Sequence, residues 1–414
     1  MRKMVLISLD AVFDEDIAAL PENSFIRQLL NQSAVSTKVK TVFPALTYPA
    51  HTTLVTGCDP AEHGIAQNQP FQPGKDESMR AWYWQTSEIK KPSLCDAVHQ
   101  AGGKCASILW PVSGKSPSIR WNFPEVVALP GESQTIKMLQ YGTPIWVLDT
   151  EIRLGRKRVS AKEPHLSEYG CILACDVIRH KKPDLTALHM VDVDDMRHHY
   201  GVHSPEAKEA LRRMDDRVRR LWETVQQTKG MEDALFVLVS DHGQADVHQP
   251  VHLGEVLDKA GYGDCVQVQS HGMSAYLYEG KRGKLGVAQA IAWLDQHMEE
   301  AGISHLYDWE ELKRMGCAHD NAGAIEFAVE AAEGVVFCDG LEHAKREKAT
   351  HGFGPGHPAE NCLLAVSGKG IQPGTLPEMP MRDVAPTLAE CMEIPFPSAK
   401  GKSHANGIKV GSKH

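Results

Sequence analysis

The chain has 414 residues, enough to bury a large core either as two domains or as one large α/β domain with an insertion. Hydrophobic residues make up 42% and charged residues 23%, a globular balance that excludes long disorder. A formal net charge of -9 makes a nucleic-acid backbone a poor general partner, yet bound divalent cations would let the same surface accept a small anionic substrate.

Met1-Arg2-Lys3 runs straight into Met4–Leu9. That apolar run is too short for a secretion signal, and no small-residue cleavage site follows it. Nothing elsewhere approaches a membrane span, so no membrane partner is expected. The 10 cysteines are scattered, with no C-x-x-C pair, and several lie in apolar runs. A reduced, cytoplasmic protein is the expectation.

Short apolar runs alternate with amphipathic stretches, as in βαβ units. This predicts an α/β fold with a mostly parallel central sheet flanked by helices. Strands are expected at Met4–Leu9, Ala106–Leu109, Leu185–Val191, Leu235–Val239 and Leu363–Val366. A long helix is expected between Ser204 and Gly230, where Ser204 can cap and Leu211, Met214, Val218, Leu221, Trp222 and Val225 recur at helical spacing. Residues 266–348 read as a small inserted α+β subdomain, with strands at Ser274–Tyr278 and Val335–Phe337 and a helix near Val287–Met298. Residues 1–265 and 349–414 then form the core, and the insertion is expected to cover the site and set selectivity. The small, polar, basic tail from Ser398 reads as loosely held.

Several of these runs end in residues that can bind metal. Met4–Leu9 ends at Asp10, and Leu235–Ser240 ends at Asp241-His242-Gly243. Leu185–Val191 leads into Asp192, Asp194 and Asp195, with His198 and His199 beyond. His351-Gly352 precedes the last apolar run. Carboxyl ends of parallel strands share one edge, so these residues can meet. Carboxylates with neutral imidazoles suit zinc, with manganese as second choice. Taken singly, each Asp is an ordinary turn former and each His an ordinary solvated residue. The four-residue spacing from Asp194 to His198 places both on one helical face.

Thr47 follows the prolyl segment Phe43-Pro44-Ala45-Leu46 and opens an apolar, threonine-rich stretch that can form a helix. A helix N-terminus favours phosphate. A plain helix cap would use the same residue type.

Thr47-Tyr48-Pro49-x-His51-x-x-Leu54-Val55-Thr56-Gly57, then Pro60-x-x-His63-Gly64-Ile65, resembles the nucleophile region of the type I phosphodiesterase/nucleotide pyrophosphatase family of the alkaline phosphatase superfamily. Trp110-Pro111, Asp194-x-x-x-His198-x-x-Gly201, Asp241-His242-Gly243, His351-Gly352 and Asp383-Val384-Ala385-Pro386-Thr387 are similar to later blocks, in the same order. The resemblance implies an alkaline-phosphatase-like fold and two zinc ions. Asp10, Asp241, His242 and Thr47 would hold one ion; Asp194, His198 and His351 would hold the other. It implies hydrolysis of phosphate diester or pyrophosphate bonds through a phosphothreonine on Thr47, with a small phosphorylated substrate such as a nucleotide.

One departure is Ala50, where the family often carries an asparagine whose amide donates to a phosphoryl oxygen. Asn68, Lys115 and Asn122 are candidates to replace that donor. His199 rivals His198, and His357 rivals His351; Asp192 and Asp195 are supporting or solvated residues. Trp82, Tyr83, Trp84, Trp110 and Trp121 could line a base-stacking pocket or belong to the core. Phosphonate or phosphomonoester hydrolysis is the alternative activity, and a catalytically weak metal-containing binding protein the third. The sequence leaves the oligomeric state open.

Overall fold

All six residues of the Met4–Leu9 strand are buried, because the strand is paired on both sides and covered on both faces. It runs parallel to Leu185–Met190 on one side and to Leu235–Val239 on the other. Its alternate side chains divide two cores. Met4 and Leu6 join the layer that includes Ala50, Leu54 and Leu388, whereas Val5, Ile7 and Leu9 join the layer of Leu173, Val177, Met214 and Val218. The computed structural model describes residues 1–318, 325–340 and 347–408.

The strand belongs to a nine-stranded sheet ordered Gly374–Thr375, Ala34–Lys40, Asn361–Ser367, Leu235–Val239, Met4–Leu9, Leu185–Met190, Cys105–Ile108, Ile119–Phe123, with Met379–Pro380 also on Ala34–Lys40. Asn361–Ser367 alone among these runs antiparallel. Asn361 therefore starts at the edge where the parallel strands end, and the chain that precedes it, with His351, approaches from that edge. The fold is α/β and mostly parallel, as expected.

Three expected strands move only at their ends. Ala106–Leu109 becomes Cys105–Ile108, Leu185–Val191 becomes Leu185–Met190, and Leu363–Val366 lengthens to Asn361–Ser367. Leu109 falls outside its strand because its φ is 55°, a left-handed turn. Pro205–Gln227 forms the long helix, with Ser204 Oγ accepting the Ala207 N–H at 3.1 Å.

A second, antiparallel sheet is ordered Ile303–Tyr307, Ile325–Ala331, Ser274–Glu279, Val266–Ser270. One face packs on Leu253, Leu257, Val287 and Leu294. The other presents Tyr276, Tyr278 and Tyr307 to Phe43 and Ala66, and Phe71 stacks on Tyr278 with centroids 3.7 Å apart. Val335–Phe337 pairs with Gln249–Val251 rather than with this sheet.

The tail departs from expectation. Lys400 and Gly401 donate backbone N–H groups to Gly57 O, His404 Nε2 lies 2.8 Å from Asp383 Oδ2, and Ala405 and Ile408 are fully buried. A polar, basic composition concealed these two apolar anchors. Residues 409–414 lie outside the described part. Among the described residues, no helix is long and apolar enough to cross a membrane.

Candidate active site

Each strand end delivers a group to one edge of the main sheet. Asp10 leaves Met4–Leu9, and Ala11 turns at φ 59°, which aims its N–H at Asp241 Oδ1, 3.2 Å away. Asp241 and His242 leave Leu235–Val239. The helix Asp192–Tyr200 follows Leu185–Met190 and presents Asp194 and His198 one turn apart. His351 arrives beside the short strand Ala349–Thr350. The sequence-selected residues do converge. Suitably placed ligand atoms of Asp194, His198 and His351 form one group, and those of Asp10, Asp194 and His242 a second that shares Asp194.

Distances place Asp241 and Thr47 in that second cluster. His242 Nε2 lies 3.2 Å from Asp241 Oδ2, 3.6 Å from Asp10 Oδ1 and 3.2 Å from Thr47 Oγ1. His198 Nε2 is 3.3 Å from Asp194 Oδ2, and His351 Nε2 is 3.8 Å from Asp194 Oδ1. The His242 and His351 rings stack with centroids 3.9 Å apart, so the clusters adjoin.

Thr47 is not a helix cap. Leu46 holds the cap position of the Thr47–Thr56 helix, and Thr47 Oγ1 turns to His242 instead of the helix backbone. His51, one turn on, bonds through Nδ1 to Thr47 O at 2.8 Å and through Nε2 to Ser8 Oγ at 2.9 Å. That ring fixes the first turn against the Met4–Leu9 strand. Burial keeps its basicity well below that of an ordinary histidine.

Every group is tethered at one atom and open at another. His242 Nδ1 bonds Gly243 O at 3.2 Å, His351 Nδ1 bonds Ala45 O at 2.9 Å, and His198 Nδ1 meets Glu347 Oε1 at 2.8 Å. All three present Nε2 inward, the arrangement of metal-binding imidazoles. His189 Nε2 holds Asp10 Oδ2 at 2.8 Å, the Ala11 N–H holds Asp241 Oδ1, and Gln244 Nε2 donates to Asp194 Oδ1. Among the described residues, Asp10 Oδ1 and Asp241 Oδ2 are buried without a hydrogen-bond partner.

The electrostatics agree. Burial, with Asp194 nearby, pushes Asp10 up to about 7. Burial and Asp10 push Asp241 well above the usual carboxylate range. Burial works against Asp194 too, but His198 and His351 overcome it and hold that carboxyl low. Crowded carboxylates with open oxygens, facing histidines that present Nε2, fit a divalent cation pair.

The rivals fall elsewhere. His199 is exposed and bonds Asp195 O at 2.8 Å. His357 stacks on Phe353 and accepts the Ala359 N–H. Asp192 is bound by Arg213 and Arg217. Ala50 is fully buried in the core under its helix, so position 50 does not line the site. Asn68 does. It lines a cavity of about 240 Å³ with Leu46, Trp82, His198, His271 and His351, and its Oδ1 accepts the Tyr48 N–H at 3.0 Å. Of the five aromatic candidates Trp82 alone lines this cavity. Lys115 Nζ sits 4.4 Å over the Tyr141 ring, and Asn122 bonds Ser113 O. A larger cavity of about 720 Å³, lined by Phe123, Met138, Leu166 and Tyr169, contains none of the converging ligands.

Sequence reading missed His189, Glu125, Gln244 and Glu347. His189 offered one signal, an imidazole inside the apolar run Leu185–Met190; its Nδ1 lies 3.1 Å from Glu125 Oε2. The other three lie in loops with nothing to mark them.

A profile described as type I phosphodiesterase / nucleotide pyrophosphatase matches residues 4–353. Human ectonucleotide pyrophosphatase/phosphodiesterase family member 5 is 24% identical over 274 residues, 63% of this chain and 49% of that protein. Venom phosphodiesterase 2 of Crotalus adamanteus is 23% identical over 260 residues, 59% of this chain and 27% of that protein. The chain thus spans half or less of these curated relatives. A structure of murine ectonucleotide pyrophosphatase/phosphodiesterase 5, an inactive form in complex with AMP, superposes with TM-score 0.73 at 17% identity, covering 99% of this chain and 100% of that one. The human counterpart gives 0.73 at 18% identity, with 99% and 100% coverage. These likenesses establish the alkaline-phosphatase-like fold. With its profile match running over most of its length, the chain belongs to the type I phosphodiesterase/nucleotide pyrophosphatase family.

Proposed function

We propose that the chain hydrolyses phosphodiester or pyrophosphate bonds, with Thr47 as nucleophile and two zinc ions as cofactor. The observation that carries this reading is the placement of Thr47 Oγ1, 3.2 Å from His242 Nε2, beside buried carboxylate oxygens that have no hydrogen-bond partner among the described residues. Asp10, Thr47, Asp241 and His242 would hold one ion, and Asp194, His198 and His351 the other. When bound, the ions supply Lewis-acid stabilisation of the charge that builds on the attacking and departing oxygens.

The remaining roles belong to the chain. His51 holds the Thr47 carbonyl and so orients the hydroxyl on the first helical turn. Thr47 Oγ1 attacks phosphorus, and the bond to the departing alcohol or phosphate breaks, leaving a phosphothreonine. Water then cleaves the Thr47 O–P bond and restores the hydroxyl. Asn68 is fixed by its Oδ1 bond to the Tyr48 N–H, which leaves its amide N–H groups for a phosphoryl oxygen. It takes the part that Ala50 cannot. The Trp82 ring and the AMP complex of the murine relative favour a nucleotide-like substrate.

Thr47→Ala tests the reading on zinc-loaded protein with bis-p-nitrophenyl phosphate. Turnover should fall on the order of 10³-fold or more, with Thr47→Ser keeping measurable activity. The melting curve should barely move, since no capping bond is lost. Near wild-type turnover by the alanine variant would remove Thr47 from the chemistry. Faster wild-type cleavage of p-nitrophenyl phosphate, per kcat/KM, would instead indicate a phosphomonoesterase.

A further inference from the structure

The turn between Val266–Ser270 and Ser274–Glu279 is locked to the segment that carries His351. The Met273 N–H donates to His351 O at 2.8 Å, and the Phe337 N–H donates to Gly272 O at 2.8 Å. Two glycines make the approach possible. A Cβ on Gly352 would stand 2.1 Å from His271 O, and one on Gly272 would stand 2.5 Å from His351 O. The second sheet is thereby held in fixed register with the metal-type cluster.

This lock delivers Ser270 and His271 to the wall of the cavity that Asn68, Trp82, His198 and His351 also line. His271 Nε2 and Ser270 Oγ are buried there, and among the described residues neither has a hydrogen-bond partner. The backbone around them is satisfied: the Ser270 N–H donates to Asp339 Oδ1 at 3.1 Å, and Asp339 is itself paired with Arg80. Among the described residues, the fold leaves these two side-chain atoms unpartnered in residues that line the cavity. Leaving such atoms unpaired is costly, and a substrate that bonds them removes the cost.

We propose that His271 and Ser270 are substrate contacts that select phosphoesters whose organic group offers hydrogen bonds of its own, as a nucleoside does, over plain aryl or alkyl esters. Burial lowers the His271 imidazole to about 4, so at neutral pH it is uncharged and offers one N–H and one lone pair. Trp82 in the same wall supplies a ring face for a base. The proposal rests on the phosphodiesterase reading given above.

The test compares thymidine 5′-p-nitrophenyl phosphate with bis-p-nitrophenyl phosphate on zinc-loaded protein, because both release p-nitrophenolate and differ only in the group retained on phosphorus. His271→Phe keeps a planar ring beside Tyr276. It should lower the nucleoside-ester to plain-ester ratio of kcat/KM by about tenfold, mainly through KM. Ser270→Ala should lower it by about threefold, and His271→Asn, which retains a donor and an acceptor, should recover part of the loss. Equal losses on both esters, or an unchanged ratio, overturn the proposal. If wild type cleaves neither ester, the hydrolase reading itself fails, and the contact is then judged by AMP titration. Weaker AMP binding by His271→Phe than by wild type sustains it, and equal affinity rejects it.

Discussion

Asp192 and Asp194 stand two residues apart on one helix, both buried, yet their surroundings share almost nothing. Asp192 faces the long helix, where Arg213 Nη2 meets Oδ1 at 2.7 Å and Arg217 Nη1 meets Oδ2 at 2.6 Å. Asp194 faces the strand ends, where His198 and His351 approach and no Arg or Lys lies within ion-pairing distance among the described residues. One carboxylate is completed by fixed cations. The other sits among two further carboxyls and is offset by titratable imidazoles rather than by guanidiniums. Three buried carboxyls set against imidazoles call for a cation from outside.

The largest effect should come from exchanging the pair's fates. Asp194→Asn should cut turnover at least about 10²-fold, while the metal-free protein loses less stability than Asp192→Asn costs, since relief of the crowded Asp10 and Asp241 offsets the lost pairing with His198. Asp192→Asn should do the reverse. It removes the shared carboxylate partner of two guanidiniums, one of them deeply buried, at a cost of about 3 kcal/mol, while turnover per folded molecule stays within a few-fold. Chemical denaturation and steady-state kinetics on both variants suffice. Were Asp192→Asn to melt like wild type, the division into completed and open carboxylates would collapse.

A smaller separation is expected between the adjacent histidines. His198→Ala should reduce bound zinc from about two ions per chain to about one and remove most activity. His199→Ala should change neither, because that ring is exposed and bonded to Asp195. Elemental analysis after purification without chelator reads the count directly. The opposite ordering would show that the second cluster is built on the wrong histidine.

The sequence revealed much of this site because its groups sit at strand ends, where an apolar run stops at a polar residue. Asp10 and Asp241 were legible in that way, and His198 followed from helical spacing to Asp194. The elements that went unread have physical reasons. Ala34–Lys40 alternates apolar and polar residues near the sheet margin, and Ile119–Phe123 closes the opposite edge, so neither makes a continuous apolar run. Asn68 and Glu347 are brought in by loops, whose course no periodicity encodes. Ala50 reads as a missing donor, but its helical face is turned into the core, and of the three substitutes considered it is Asn68 that lines the cavity. Reading the tail as loose failed because two buried apolar residues outweigh a basic composition.

Glu163 supplies the finest test, since it lies on the arginine side of the comparison without sharing in its neutralisation. Arg217 is already committed to Asp192 at 2.6 Å and to Glu168 at 3.2 Å. Glu163 is left with Ser167, whose Oγ donates to Oε1 at 2.9 Å and whose N–H lies 3.2 Å from Oε2. Burial therefore dominates and raises its carboxyl from 4.5 to about 7, against the weaker pull of Ser167. A raised acid favours the folded protein while protonated. Its contribution is fully present below the unfolded value near 4.5 and is lost as pH rises to about 7. Glu163→Gln keeps an acceptor for Ser167 and cannot ionise. The melting temperatures of variant and wild type should then lie close at pH 5 and separate by roughly 2 °C in the variant's favour at pH 8, with no change in turnover. Were the two melting curves to stay parallel across that range, Glu163 would be neutralised in the fold much as Asp192 is, and the arginine cluster would reach further than its ion pairs indicate.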